Sequence, residues 1–178
     1  MQYIYEIELE DIKKEELEKM IKWLDKNKIE NVKTNKKLLI KFNDYYIVYR
    51  FDKVIKSLRA GFKFEEAIKI ITNDWEFIEI DIKKAAEKKD NHKIRILGRI
   101  IGEDGKALKK LEEITKAKIL VSDRYVYILG DNISIQTAFE TIRRIVRGTP
   151  HSSAYDIASN LRRHLKNKEK EVNYFINL

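Results

Sequence analysis

The chain of 178 residues contains no cysteine. That absence excludes disulfide frameworks, cysteine-ligated zinc and thiol nucleophiles, and makes a reducing cytoplasm the expected setting. Proline occurs once, at Pro150, and no glycine precedes Gly61. No run approaches 18 consecutive apolar residues, so no helix is expected to span a membrane. The N-terminus, MQYIYEIELED, alternates apolar and acidic residues and lacks the charged region and apolar core of a signal peptide. A soluble, intracellular protein is expected. Its 43% hydrophobic content suffices for a sizeable core, in one large domain or, as the better fit, two small ones.

Charge is abundant and unevenly placed. The formal net charge is +8, yet Met1 to Ile82 carries 16 basic and 17 acidic residues, whereas Lys83 to Leu178 carries 21 and 12. A near-neutral half joined to a basic half points to a polyanion meeting the second half through phosphate neutralisation and counterion release. A well-solvated, lysine-rich surface adapted to heat gives the same totals.

Periodicity in the first half predicts a strand over Tyr3 to Leu9 and a helix over Glu15 to Asn27, with Leu17, Met20, Ile21 and Leu24 on one face. Short strands follow at Asn31 to Thr34 and Lys37 to Phe42, then a helix from Tyr45 to Ala60 and a short one from Lys63 to Ile71. Trp75 to Ile82 alternates as a strand.

Beyond a lysine-rich connector, Lys83 to Lys93, an apolar helical stretch leads to glycines at 98, 102 and 105. Lys106 to Thr115 then reads as an amphipathic helix, Lys118 to Val121 and Tyr125 to Leu129 as strands, and Ile133 to Arg147 as a helix. The order strand, helix, glycine turn, helix, strand, strand, helix is that of a type I KH domain. Its G-x-x-G loop would be Gly102, Glu103, Asp104 and Gly105, where glycines admit a nucleic-acid backbone close to the protein backbone and the next helix offers free N–H groups to a phosphate. Asp104-Gly105 is also a favoured hairpin turn, but Leu108, Leu111 and Ile114 follow helical spacing.

The motifs RIIGEDGKALKKLEEIT from Arg99, VYILGD from Val126 and RGTPHSSAYDIASNLRRHLK from Arg147 occur in that order. With them, Lys93 to Lys166 resembles the second KH repeat of the archaeal and eukaryotic partner-of-Nob family of twin-KH ribosome-assembly proteins. SLRAGFKFEEAIKIITNDWEFIEIDI, from Ser57, resembles the junction between the repeats. The resemblance implies binding to the 3′ end region of small-subunit ribosomal RNA, assistance to the endonuclease that matures it, and in archaea a link to the alpha subunit of an initiation factor.

The expected fold is therefore α+β: a degenerate KH-like unit over residues 1–73 without a G-x-x-G loop, a type I KH unit with a C-terminal helix over 74–170, and a tail over 171–178. The second unit would have a three-stranded sheet packed on helices. Lacking the loop, the first unit reads as a scaffold or protein-docking surface. In the second, Glu103 and Asp104 place two carboxylates beside the expected phosphate, each repelling RNA by ~1 kcal/mol after screening. Arg95, Arg99, Lys106, Lys109 and Lys110 surround them and offset the repulsion; Lys106 and Arg99 rank first. Ile100, Ile101, Ile119 and Val121 are candidates for the apolar groove that holds about four nucleotides, although core packing explains the same residues. Ser152 or Ser153 is expected to cap the final helix, on which Arg162, Arg163, Lys166 and Lys168 form a basic flank.

His92, His151 and His164 lack the spacing of metal ligands or of an acid–base dyad, and the carboxylates interleave with lysines as helix-surface ion pairs do. No catalytic residue, metal or cofactor is expected. The competing binding function is a KH scaffold for protein partners, with weak RNA affinity or none.

Overall fold

The computed structural model describes residues 2–85 and 90–176, and the chain divides into two compact units, Met1–Trp75 and Glu76–Leu178. The division falls two residues beyond the boundary expected from sequence.

The first unit runs β1 (Tyr3–Glu8), α1 (Lys14–Lys26), β2 (Asn31–Lys33), β3 (Lys37–Phe42), α2 (Tyr45–Ala60), α3 (Phe64–Ala67) and α4 (Lys69–Thr72). Its antiparallel sheet has the order β1-β3-β2, with Tyr5 opposite Ile40. Alternation buries Ile7, Leu38, Ile40 and Phe42; Met20, Leu24 and Phe51 are buried in the same unit, and the Phe42 and Phe51 ring centroids lie 5.2 Å apart. α2 begins where the Asp44 side chain accepts the Tyr46 N–H at 2.8 Å, and ends at Gly61, whose φ of 107° allows the left-handed turn that caps a helix. The single helix expected over 63–71 is two short ones, because the chain tightens at Ile68 into a 2.9 Å bond from the Ile71 N–H.

The second unit runs β4 (Glu76–Asp81), α5 (Ile82–Ala85), α6 (Asp90–Ile101), a 3₁₀ turn at Glu103–Gly105, α7 (Lys106–Thr115), β5 (Lys118–Val121), β6 (Tyr125–Gly130), α8 (Asn132–Val146) and α9 (His151–Ile176). The sheet order β4-β6-β5 repeats that of the first unit, which places the third strand of each in the centre. The α+β class, the type I KH order and the C-terminal helix are as the sequence indicates. One core gathers Ile96 and Ile100 of α6, Leu111 of α7, Ile119 and Val126 of the sheet, and Ile142 of α8.

Three local expectations change. Both ends of the lysine-rich connector are helical: Asp81 Oδ1 accepts the Lys83 and Lys84 N–H groups at 2.9 and 3.2 Å and starts α5, and α6 begins at Asp90, while residues 86–89 lie outside the described residues. Neither Ser152 nor Ser153 caps the last helix. It begins at His151, directly after Pro150, whose carbonyl accepts the Ala154 N–H at 2.9 Å. That helix continues to Ile176 and takes in most of the segment expected as a tail.

Candidate nucleic-acid interface

α6 and α7 meet at a loop that only glycine can build at its first position. Gly102 has φ 71°, and a β-carbon there would lie 2.5 Å from the Ala107 Cβ and 2.9 Å from its backbone nitrogen. The chain reverses so tightly onto α7 that no side chain fits. Gly105, at φ 73°, faces open space instead. Between them Asp104 is left-handed as well, at φ 49°. α7 starts with no side-chain cap, and its first N–H, that of Lys106, turns back to the Glu103 carbonyl; the positive end of the helix dipole at this start favours an anion.

The acidic pair is exposed. Lys106 Nζ lies 3.5 Å from Asp104 Oδ2, with both side chains more than two-thirds accessible, a contact that solvent weakens. Glu103 is exposed too, as are Lys109 and Lys110; Lys110 Nζ stands 3.5 Å from Glu113.

The apolar candidates separate. Ile100 is fully buried and Ile119 nearly so, at 0% and 3% exposure, so both belong to the core. Ile101 is 37% exposed beside the loop, and Val121 is half-buried at the end of an edge strand. Counting back from Ile101 by helical spacing gives Gly98, Leu97 and Ile94 on the same face of α6. Ile94 is 65% exposed, Leu97 is half-buried against the core, and a β-carbon on Gly98 would meet nothing within 4 Å. Leu108 of α7 is half-buried in the same way. None of Ile94, Leu97, Gly98 and Leu108 is among the groove candidates read from the sequence, although the helical period through Ile101 aligns the first three with it.

Among the described residues, strand β5 pairs only with β6. Glu112 Oε1 accepts the Ile119 N–H at 2.8 Å, so that group faces away from the ladder. By the alternation of antiparallel pairs, the N–H and C=O of Val121 also point to the open edge. Apolar side chains, a glycine on the exposed helix face, the two-glycine loop and the edge groups of Val121 thus lie in one unit.

The arginines have structural duties. Arg99 turns to the other side of α6, where its Nη2 donates to the Thr149 carbonyl at 2.7 Å, and His151 Nε2 lies 2.8 Å from the Arg99 carbonyl. Arg95 and His92 pair on the same flank at 3.1 Å. Arg162 Nη1 donates to the Thr115 carbonyl at 2.6 Å and Ser134 Oγ at 3.1 Å, closing the C-terminal end of α7 against α8 and α9. Arg163 is exposed and donates to Asn160. Tyr155 donates to the Ala107 carbonyl at 3.1 Å, and burial raises its phenol pKa. Arg162 and Tyr155 therefore hold α7 in place from behind, while Lys106, Lys109 and Arg163 face solvent. Among the described residues no group of three or more His, Asp or Glu is placed to hold a metal ion, and no helix is long and apolar enough to cross a membrane.

Residues 76–163 match the family model of the second KH domain of PNO1 proteins, a eukaryotic-type (type I) KH domain. A KH domain-containing protein of Methanocaldococcus jannaschii is 29% identical over 132 residues, which span 74% of this chain and 58% of that one. RNA-binding protein PNO1 of Oryzias latipes is 33% identical over 57% of this chain and 42% of its own length. The chain thus spans about half the length of these relatives. Among solved structures, a protein of unknown function from Aeropyrum pernix has a TM-score of 0.78 at 24% identity, covering 98% of both chains. A chain of the a/eIF2alpha–aDim2p–rRNA complex of Pyrococcus horikoshii has a TM-score of 0.71 at 20% identity, covering 92% of this chain and 96% of its own. Residues 76–163 of this chain are therefore a type I KH domain of the kind that stands second in PNO1 proteins.

Proposed function

We propose that this protein binds single-stranded RNA in the second unit and acts in the cytoplasm as a ribosome-assembly factor on the 3′ region of small-subunit ribosomal RNA. The carrying observation is the Gly102 to Gly105 loop, closed to any side chain at its first residue and opening onto the uncapped start of α7. A phosphate placed there meets backbone N–H groups and the positive end of the helix dipole. The bases then lie across Gly98 and Ile101 toward Val121, whose edge N–H and C=O are suited to base edges. Lys106 and Lys109 supply phosphate contacts and offset Glu103 and Asp104. Arg99, Ile100 and Ile119 support this site from behind, and Arg162 fixes α7. The names of relatives and the ribosomal RNA in the Pyrococcus complex support the substrate, and the initiation-factor subunit there supports that class of partner. A maturation endonuclease is the other partner the family resemblance suggests.

The acidic loop favours one second reading, a KH scaffold for proteins. Titration of a fluorescent RNA strand from the 3′ end of the small-subunit ribosomal RNA separates the two. Ile101→Asp with Lys106→Glu is expected to weaken binding at least tenfold with an unchanged circular dichroism spectrum. Wild-type affinity should fall steeply with salt. Absence of wild-type binding at low salt leaves the scaffold reading.

A further inference from the structure

The C-terminal end of α7 carries a second basic feature. There α7 and α9 enclose a groove of about 370 Å³ in which Lys116, Arg162, Arg163, Lys166 and Lys170 surround Ile114, and among the described residues no carboxylate lines it. Among the described residues Lys116, Lys166 and Lys170 have no ion-pair partner, unlike Lys19, Lys37, Lys41 and Lys56 of the first unit, each 2.5–2.9 Å from a carboxylate. Arg162 is held by a carbonyl and a hydroxyl, which leave its charge uncompensated. Lys116 is left-handed, at φ 62°, in the helix-capping position that glycine fills most readily.

The groove is joined to the loop by a line of residues. Lys106, Lys110 and Ile114 stand at i, i+4 and i+8 along one side of α7, a path of about 12 Å at 1.5 Å per residue. The match to the KH domain ends at residue 163, so Lys166 and Lys170 belong to the extension that follows it.

We propose that this groove is a second phosphodiester subsite, holding the backbone of the RNA strand after it leaves the KH groove along the Lys106 and Lys110 side of α7. The inference rests on the RNA-binding reading above. Unpaired ammonium groups around a small apolar floor suit a sugar-phosphate chain without reading its sequence. The site therefore adds length-dependent affinity.

The test compares a 5-nucleotide with a 15-nucleotide single-stranded RNA on the full chain, using Lys166→Glu with Lys170→Glu. Both positions are exposed on a helix that tolerates glutamate. The variant should bind the long RNA about tenfold more weakly, with the slope of log affinity against log salt reduced by about 1.4, two phosphates at about 0.7 each. Its affinity for the short RNA should stay within about twofold of wild type. Equal long-RNA affinity in both proteins overturns the subsite, as does an equal loss for both lengths. A polyglutamate peptide that binds wild type and not the variant, with RNA unaffected, assigns the groove to acidic protein and overturns it too. Failure of the wild type to bind either RNA overturns the KH reading itself.

Discussion

Gly98 and Gly102 lie one helical turn apart and have opposite reasons for lacking a side chain. At Gly102 a β-carbon would strike Ala107 at 2.5 Å and sit at a positive φ, so Gly102→Ala should destabilise the protein by about 2 kcal/mol, read as a lower urea midpoint. At Gly98 the helix is regular and the space open. Gly98→Ala should therefore stabilise the protein by about 0.5–1 kcal/mol, the gain of alanine over glycine inside a helix. If Gly98 is floor for a base, the same variant should lose RNA affinity several-fold while its Tm rises. A higher Tm with unchanged affinity would move the bases elsewhere. The loop glycines were legible in the sequence because their spacing is a motif. Gly98 is not legible in the same way, since a glycine within an apolar helical stretch carries no spacing signal until the exposed face of that helix is known.

Among elements, α2 is tied to the end of its unit by one buried cation. Arg50, 4% exposed, donates to the carbonyls of Ile70 and Trp75 and pairs with Asp74 at 2.8 Å. Arg50→Met leaves those carbonyls without the guanidinium and should cost about 2 kcal/mol. Trp23 and Trp75, the two tryptophans of the chain, lie in that unit and report its unfolding by fluorescence. On β4, Asp81 accepts Arg124 Nη2 at 2.8 Å, and this bond first, then the backbone N–H groups of α5, hold its carboxyl below the usual range. A lowered folded pKa gives a stabilisation present above the unfolded value of about 3.9 and lost as pH falls through the lower folded one. Arg124→Gln should flatten the dependence of stability on pH below about 4, an effect kept small by exposure. Most elements were legible because Leu17, Met20 and Leu24 repeat at helical spacing and Leu38, Ile40 and Phe42 alternate. The break at Ile68 was not, being a backbone choice inside an unbroken apolar pattern. The place of Arg99 beside the loop suggests an RNA contact, but one position on a helix turns a side chain by about 100°, and this one reaches Thr149 instead.

For the whole molecule, two units share one sheet order and differ in what joins their first two strands: α1 alone in one, and α5, α6, the glycine turn and α7 in the other. Without the turn the first unit has no seat for a phosphate of the KH kind, and the basic excess lies in the second half of the chain. Residues 76–178 expressed alone, once shown folded by circular dichroism, should keep RNA affinity within about threefold of the full chain, and residues 1–75 should show none. RNA binding at the glycine loop is tested most directly by mapping amide chemical shifts of the full chain while single-stranded RNA is added. The largest changes should fall on Gly98, Ile101, Gly102, Gly105, Lys106 and Val121; changes confined to the first unit, or none at all, would contradict binding there.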